Sequence, residues 1–191
     1  MNQNKIKIIA VLLLLCISAA WLERYEIQES GQNLSGQMAD KMKQNTDEPQ
    51  NLYAQSAVLM DADSGRVLFG KEEEAIRPMA STTKTMTALV VIENCDLDET
   101  VEVTADAAGT EGSSMYLSCG ERLSVRDLLY GLMLLSGNDA AVALAVHVGG
   151  TVESFVRIMN DRAAKLGLTN THFVTPNGLH DAEHYTTAYE L

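Results

Sequence analysis

Hydrophobic and polar positions divide the chain into three parts. Residues 1–20 begin with two lysines and continue as an unbroken apolar run over residues 8–17. Residues 21–51 are rich in Gln, Asn, Glu, Ser and Lys and show almost no apolar periodicity. Over residues 52–191 apolar positions recur with the spacings of short strands and amphipathic helices. The pattern predicts one folded region, residues 52–191, behind a leader and a polar linker.

The first twenty residues have the form of an export signal. Lys5 and Lys7 precede the apolar run, and residues 18–20 are small, as a signal-peptidase site requires. An uncleaved anchor stays open, because Trp21 extends the stretch to an interfacial aromatic. We therefore expect an extracytoplasmic protein, secreted or held at the outer face of the cytoplasmic membrane. Residues 21–51 would form a disordered tether, since they cannot bury enough apolar surface to fold.

Strand and helix signals follow one another in the folded region. Two β-prone runs, residues 56–60 and 66–70, are joined by turn-forming residues and predict a hairpin. Helices are predicted over residues 81–93, 124–135, 140–148 and 152–166, with N-caps at Ser124, Asp139 and Thr151. The first of these is apolar on nearly every side from residue 86 to residue 92, which is typical of a central helix. Thr187 and Glu190 have the spacing of a capping box, so a further helix is expected to start there.

Composition narrows the function classes. The chain has 14 Lys and Arg against 26 Asp and Glu, for a net charge of -12, whereas a nucleic-acid-binding surface needs a basic face. Hydrophobic residues make up 46% and charged residues 21%, as in an ordinary globular protein. Three cysteines are too few for a disulfide scaffold. A bridge between Cys95 and Cys119 and a pair of separate thiols both stay open.

Ser81-Thr82-Thr83-Lys84 is the first candidate for chemistry. Residues three apart share a helix face, so Lys84 Nζ can reach Ser81 Oγ. A serine hydroxyl needs a base within hydrogen-bond reach, and a lysine can serve if burial lowers its pKa. The apolar helix around Lys84 favours such burial. Backbone N–H groups at the helix start could also stabilise an oxyanion near Ser81.

Ser136-Gly137-Asn138 is the second candidate and lies at a break between two helices. A second hydroxyl can pass protons between nucleophile, base and leaving group, and an amide can hold a substrate amide or orient the lysine. The same residues also suit a plain helix–helix turn. An S-x-x-K spacing alone is common in chains of this length, so neither motif is specific without the other.

Together the two motifs and their surroundings are far more specific. The pairing of S-x-x-K with a Ser-x-Asn motif is found in penicillin-binding proteins and class A β-lactamases. This chain most resembles the D-alanyl-D-alanine carboxypeptidases, which are low-molecular-mass penicillin-binding proteins. The resemblance covers about residues 52–191 and is carried by these segments: Ala57–Asp61 with Ser64-Gly65, Pro78–Ala88, Gly112–Met115, Leu128–Met133, Ser136–Ala141, Leu166–Leu168 with Thr171–Phe173, and His184–Ala188.

The resemblance implies a fold class and a mechanism. The fold would be α+β, of the penicillin-binding and serine β-lactamase type, with an antiparallel sheet flanked by helices and a mostly helical region. Ser81 would attack the carbonyl between the two terminal D-alanines of a peptidoglycan stem peptide, with Lys84 as general base. Ser136 would relay a proton to the leaving D-alanine, and Asn138 would contact the substrate backbone and Lys84. β-Lactam antibiotics would acylate Ser81, and no metal or cofactor is implied.

One family motif is missing from the 191 residues. The family carries Lys-Thr-Gly or Lys-Ser-Gly on an inner strand that binds the substrate carboxylate and completes the oxyanion hole. The only lysine after Lys84 is Lys165, which is followed by Leu166-Gly167 at a predicted helix end. We therefore expect the chain to be a fragment that lacks the later strands, and to be inactive and poorly folded by itself.

Three other interpretations stay open with less support. A class A β-lactamase would need a deacylating glutamate, but residues 169–175 hold no carboxylate, and Gly137 replaces the usual Asp. A non-catalytic, membrane-tethered peptidoglycan-binding protein is favoured by the missing third motif and disfavoured by the intact first two. A zinc site at His180 and His184 lacks any further ligand pattern.

Overall fold

The computed structural model describes residues 52–191, so the leader and linker predicted for residues 1–51 lie outside the described residues. Among residues 52–191 the chain forms an α+β fold of two small antiparallel sheets and a set of packed helices. The strands are β1 (Ala57–Met60), β2 (Val67–Lys71), β3 (Thr100–Glu102) and β4 (Arg122–Ser124). The helices are α1 (Lys84–Asn94), α2 (Ala105–Ala108), α3 (Val125–Leu134), α4 (Asn138–Gly149) and α5 (Val152–Leu166).

The predicted hairpin is confirmed by the pairing of β1 with β2. Their antiparallel register runs from Ala57 opposite Lys71 to Met60 opposite Val67, with a bulge at the Met60 end. Asp61 closes the turn, because its side chain accepts a 2.8 Å hydrogen bond from the Ser64 N–H. Strands β3 and β4 form the second sheet. Neither β4 nor the short helix α2 was predicted from the sequence. Elements of three or four residues are too short for a periodic signal.

The core lies around α1, as its apolar sequence predicts. Val90, Val91 and Ile92 are essentially inaccessible to solvent. Helix α1 packs against α3, α4 and α5. The alanines of α4 are also fully buried, and their small side chains allow the helices to approach closely. This packing fixes the first turn of α1 against the first turn of α4, and both turns carry residues of the two predicted motifs.

Two helix caps agree with the sequence prediction in detail. The Ser124 hydroxyl accepts a 3.1 Å hydrogen bond from the Asp127 N–H at the start of α3. Thr151 accepts one of 3.1 Å from the Ser154 N–H at the start of α5. Helix α5 ends at Gly167, which has a left-handed backbone with φ of +78°.

Two predicted helix starts are wrong. Residues 80–83 form a 3-10 turn, and α1 begins only at Lys84, since Thr83 Oγ1 bonds back to the Ala80 carbonyl. Helix α4 begins at Asn138 with Gly137 as its N-cap, and Asp139 lies inside its first turn. At Thr187 the predicted N-cap bond is present, because Thr187 Oγ1 accepts from the Glu190 N–H at 3.0 Å. The Thr187 carbonyl also accepts from the Leu191 N–H at 3.0 Å, as in the first turn of a helix, and residues 188–190 form turns.

The two cysteines of the described region are not joined by a disulfide. Cys95 is buried where α1 ends, and Cys119 is exposed. No single helix within residues 52–191 is long and apolar enough to cross a membrane. Helices α4 and α5 meet the length and composition limits only as a pair, with an 84° bend between them.

Candidate active site

Ser81 and Lys84 lie on one face of the chain at the start of α1. The 3-10 turn over residues 80–83 leads directly into the helix, so the two side chains point the same way. Lys84 Nζ is 3.1 Å from Ser81 Oγ. Ser81 is exposed, whereas Lys84 is only 2% exposed. A reachable hydroxyl thus stands beside a buried amine, which is the arrangement that activates a serine for attack.

Lys84 has three hydrogen-bond partners, one for each position around its amine. Besides Ser81 Oγ, they are Asn138 Oδ1 and the main-chain carbonyl of Asn177, both at 2.8 Å. The two carbonyl oxygens can only accept, so Lys84 donates an N–H to each. In the neutral amine the remaining position is a lone pair, and it faces the Ser81 hydroxyl. When Lys84 is neutral, these contacts thus hold it in the orientation that a general base needs.

Burial lowers the pKa of Lys84 from 10.5 to about 8, because desolvation disfavours the charged ammonium. At pH 7 about one-tenth of such an amine is neutral, roughly 300-fold more than at the ordinary pKa. None of the three hydrogen-bond partners of Lys84 is a carboxylate, which would raise the pKa again. The buried position of α1 thus supplies the property that Lys84 needs as a base near neutral pH.

Asn138 joins Lys84 to a loop on the opposite side. Its amide nitrogen donates to the Glu111 carbonyl at 2.7 Å, while its oxygen accepts from Lys84. The Asn138 main-chain N–H also donates to the Ser113 carbonyl at 2.7 Å. These contacts hold the amide in one orientation and leave its second N–H without a partner among the described residues.

Asp139 lies in the region of the site, although the sequence predicted it only as a helix cap. Its carboxylate is fully buried and accepts from the Ser114 hydroxyl and from the N–H groups of Met115, Leu117 and Ala140. Burial raises the pKa of Asp139, but these hydrogen bonds outweigh it, and the pKa lies below the usual 3.8. Asp139 thereby fastens residues 114–117 to the start of α4, beside Asn138.

Ser136 occupies the turn between α3 and α4 in a strained conformation. Its φ is +56°, a left-handed value that is uncommon for a residue with a side chain. The residue is half-buried, and within the described region its hydroxyl makes no hydrogen bond to Ser81, Lys84 or Asn138. The structure therefore connects Ser81, Lys84 and Asn138 through direct hydrogen bonds. Ser136 lies two residues before Asn138, and its hydroxyl bonds to none of the three.

The segment over residues 174–178 is the second feature that the sequence missed. It presents the Asn177 carbonyl to Lys84 and the Pro176 carbonyl to Thr87 Oγ1, at 2.8 and 2.6 Å. Gly178, with φ of +86°, lies directly against Ala80. Main-chain carbonyls leave no mark in a sequence, and an Asn-Gly pair is by itself typical only of a turn.

Two groups of residues in the described region have side chains of metal-binding type. His184 is buried, and both of its ring nitrogens are engaged, with Thr83 and with the Val174 N–H, so the structure offers no His180–His184 zinc site. Within the described region, Cys95, Glu99 and His147 have ligand atoms within 4.8 Å of one another. His147 Nε2 and Glu99 Oε2 are 3.1 Å apart there, within hydrogen-bond distance. None of the three contacts Ser81, Lys84 or Asn138.

Comparison with known proteins agrees with this geometry. The family model described as D-alanyl-D-alanine carboxypeptidase, peptidase family S11, matches residues 42–191 and so includes both motifs. The chain belongs to this family. Among curated carboxypeptidases of the family, DacF of Bacillus subtilis is 41% identical over 143 residues, which are 72% of this chain and 37% of DacF.

Solved structures of the carboxypeptidase family confirm the predicted fold. The carboxypeptidase DacD from Francisella tularensis superposes with a TM-score of 0.70 at 36% identity, over 90% of this chain and 39% of that one. Penicillin-binding protein 5 from Haemophilus influenzae also superposes with a TM-score of 0.70, at 37% identity, over 75% of this chain and 44% of the penicillin-binding protein. The chain thus spans less than half the length of these relatives.

Proposed function

We propose that this protein is a serine-type D-Ala-D-Ala carboxypeptidase that removes the terminal D-alanine from peptidoglycan stem peptides and is acylated by penicillins. One observation carries the proposal: Lys84 Nζ lies 3.1 Å from Ser81 Oγ, and its two other partners are carbonyl oxygens. Family membership supports the substrate class, since relatives carry the name D-alanyl-D-alanine carboxypeptidase.

In the acylation step, Ser81 Oγ attacks the carbonyl carbon of the bond between the two D-alanines. The hydroxyl proton passes to neutral Lys84, which becomes an ammonium as the tetrahedral intermediate forms. Asn138 and the Asn177 carbonyl hold Lys84 in place during the transfer. The free N–H of the Asn138 amide is available to a carbonyl of the stem peptide.

Collapse of the intermediate breaks the peptide bond and leaves an ester on Ser81. The departing D-alanine amine takes a proton that comes from Lys84, with Ser136 as the relay between them. The half-buried position of Ser136 and its uncommitted hydroxyl support this role. Water then hydrolyses the ester, with neutral Lys84 again as the base. A β-lactam acylates Ser81 in the same way, and the opened ring stays attached because hydrolysis is slow.

Acylation of the complete protein by a fluorescent penicillin tests the proposal. We expect intact-mass spectrometry to show one penicilloyl group per protein, lost in Ser81→Ala and kept in the control Ser118→Ala, which alters an exposed serine. Release of D-alanine from a peptide ending in D-Ala-D-Ala should be lost with the same substitution. The 191 residues contain no Lys-Thr-Gly or Lys-Ser-Gly, so the chain alone is expected to be labelled poorly or not at all.

The same experiment separates the competing functions. A peptidoglycan-binding protein without turnover would bind the stem peptide but release no D-alanine and form no adduct. A β-lactamase would destroy penicillin in many turnovers per protein. Stoichiometric labelling that survives in Ser81→Ala would exclude the mechanism altogether.

We also propose that the protein works outside the cytoplasmic membrane. Support comes from the two lysines, the apolar run and the small residues of the first twenty positions. Labelling of intact cells with a membrane-impermeant penicillin probe should reach the protein, and protection from the probe until the cells are lysed would contradict the proposal.

A further inference from the structure

Ala80 precedes Ser81 and has a left-handed backbone, with φ of +46°. A residue with a Cβ is disfavoured in this conformation, so contacts from elsewhere must hold it. The Ala80 carbonyl accepts a 2.7 Å hydrogen bond from Thr83 Oγ1. Gly178 packs against the same carbonyl so closely that a Cβ on Gly178 would lie 1.9 Å from its oxygen. Thr83 and Gly178 thus fix the direction of the peptide that enters Ser81.

The Thr83 hydroxyl has a second contact, 2.7 Å from Nε2 of His184. The Ala80 carbonyl can only accept, so the single proton of the Thr83 hydroxyl is donated to it. Thr83 Oγ1 must then accept from His184, which requires a proton on Nε2. Thr83 is 1% exposed and His184 3% exposed, so water does not compete for these bonds.

The other ring nitrogen of His184 leads to the same protonation state. Nδ1 accepts from the Val174 N–H at 2.9 Å, and a main-chain N–H can only donate, so Nδ1 carries no proton. Burial lowers the pKa of His184 and favours the neutral ring. The charged groups that face it have opposite effects, since Asp181 raises the pKa and His172 lowers it. Both ends of the ring therefore specify one neutral tautomer.

His184 thus connects the two main-chain segments that build the site. Its Nε2 side supports the 3-10 turn that carries Ser81. Its Nδ1 side binds the start of the segment over residues 174–178, which presents the Asn177 carbonyl to Lys84 at 2.8 Å. Its Phe173 neighbour packs edge-on against the ring, with centroids 5.8 Å apart, and fixes its plane.

We propose that His184 is a positioning residue: its imidazole donates to Thr83, Thr83 holds the Ala80 carbonyl, and this chain of hydrogen bonds aims Ser81 at Lys84. His184 contacts neither Ser81 nor Lys84 and acts through Thr83 and Val174. The inference rests on the proposed function in one respect, which is that Ser81 is the nucleophile.

A matched pair of substitutions at Thr83 tests the chain of hydrogen bonds in the complete protein. Thr83→Val keeps the shape of the side chain but removes the hydroxyl, while Thr83→Ser keeps the hydroxyl. The readouts are the second-order rate constant for acylation by a fluorescent penicillin and the thermal midpoint. Well below that midpoint, we expect Thr83→Val to be acylated at least about tenfold more slowly. Thr83→Ser should stay within about threefold of the unchanged protein, because the bonds can re-form.

A second pair of substitutions, His184→Asn and His184→Gln, tests the Nδ1 and Nε2 contacts of the ring separately. Asn can replace Nδ1 as the acceptor for Val174 but cannot donate to Thr83, whereas Gln can place an amide N–H near Thr83. His184→Asn should therefore slow acylation about as much as Thr83→Val does. Combining the two should add little, because both break the same chain. Full-rate acylation of a folded Thr83→Val variant, or independent effects that multiply in the double variant, would overturn the proposal.

Nitrogen-15 NMR of the histidine side chains checks the tautomer without any enzyme assay. The chain has four histidines, and the signals that disappear in His184→Gln identify His184. At pH 7 we expect a protonated Nε2 and an unprotonated Nδ1. An imidazolium or the opposite tautomer refutes the positioning role even in a protein that is acylated normally. The expected tautomer in a protein that no penicillin labels refutes the proposed function instead.

Discussion

Asn138 Oδ1 lies 2.8 Å from Lys84 Nζ, although the two residues are 54 positions apart in the chain. The contact exists because the first turns of α1 and α4 are packed side by side in the core. It joins the two motifs into one site and fixes the direction of the Lys84 amine. Since an amide oxygen carries no full charge, it orients the amine without stabilising the ammonium as a carboxylate would.

The first prediction concerns the pH dependence of acylation. Lys84 must be neutral to accept the Ser81 proton, and burial lowers its pKa to about 8. We expect the second-order rate constant for penicillin acylation to rise with pH up to about 8 and then level off. Lys165→Met, which removes an exposed lysine on α5, should leave the profile unchanged. A profile that is flat from pH 6 to 9, or that still rises steeply above pH 9, contradicts the assignment.

The second prediction is that Asn138→Asp raises the pKa of Lys84. A carboxylate 2.8 Å from the amine favours the ammonium and should raise its pKa by about 1–3 units. Acylation at pH 7 should become at least about tenfold slower and recover in part at higher pH. The substitution also removes the donor to the Glu111 carbonyl, so a pH-independent loss is expected in addition.

Asn94→Asp provides the control for Asn138→Asp. It adds the same charge at the far end of α1, roughly 15 Å along the helix from Lys84. Its acylation profile should match that of the unchanged protein, because solvent and salt screen a charge at that distance. If both variants shift the profile equally, the net charge of the protein, and not the Asn138–Lys84 contact, controls the pKa.

The site residues that the sequence predicted lie in two short motifs with local spacings, and it is the pairing of these motifs and their resemblance to one family that made them specific. Ser81 and Lys84 are three residues apart on one helix face, and Ser136 and Asn138 flank a helix break. The caps of α3 and α5 also involve residues three apart in the chain, and the structure confirms them. The apolar sequence of α1 likewise predicted its central position, because an all-round apolar helix has no face to expose.

The features that the sequence missed depend on contacts between distant segments. The Asn177 carbonyl that binds Lys84 belongs to the main chain, which every residue possesses, so no residue type marks it. Asp139 looked like a helix cap because its partners, residues 114–117, are brought to it only by tertiary packing. The start of α1 was placed three residues too early, since the strain at Ala80 is held by Thr83 and Gly178 and not by local preference.

The third prediction is that Asp139→Asn destabilises the fold. The buried carboxylate accepts four hydrogen bonds, and an amide would turn an NH₂ group toward some of the same donors. We expect the free energy of unfolding to fall by about 2–4 kcal/mol in urea denaturation at pH 7. The control Asp98→Asn alters a side chain that is 81% exposed and should cost less than about 1 kcal/mol. Equal losses in the two variants would mean that the Asp139 bonds add nothing to stability.

The fourth prediction compares two glycines that have nearly the same positive φ. Gly178 has φ of +86° and Gly120 has φ of +82°, so an alanine at either position is strained by about 1–2 kcal/mol. A Cβ at Gly178 would lie 1.9 Å from the Ala80 oxygen, whereas one at Gly120 would meet nothing within 4 Å. The difference between the two variants therefore isolates the close approach to Ala80.

Gly178→Ala should lose a further 1–3 kcal/mol or so of stability relative to Gly120→Ala, because the Ala80 peptide must move. That movement turns Ser81 away from Lys84, so acylation should slow by at least about tenfold in Gly178→Ala. In Gly120→Ala the rate constant should be unchanged below the thermal midpoint. If both alanine variants are acylated at the rate of the unchanged protein, the Ala80 peptide can shift without moving Ser81, and the strained turn has no part in presenting the nucleophile.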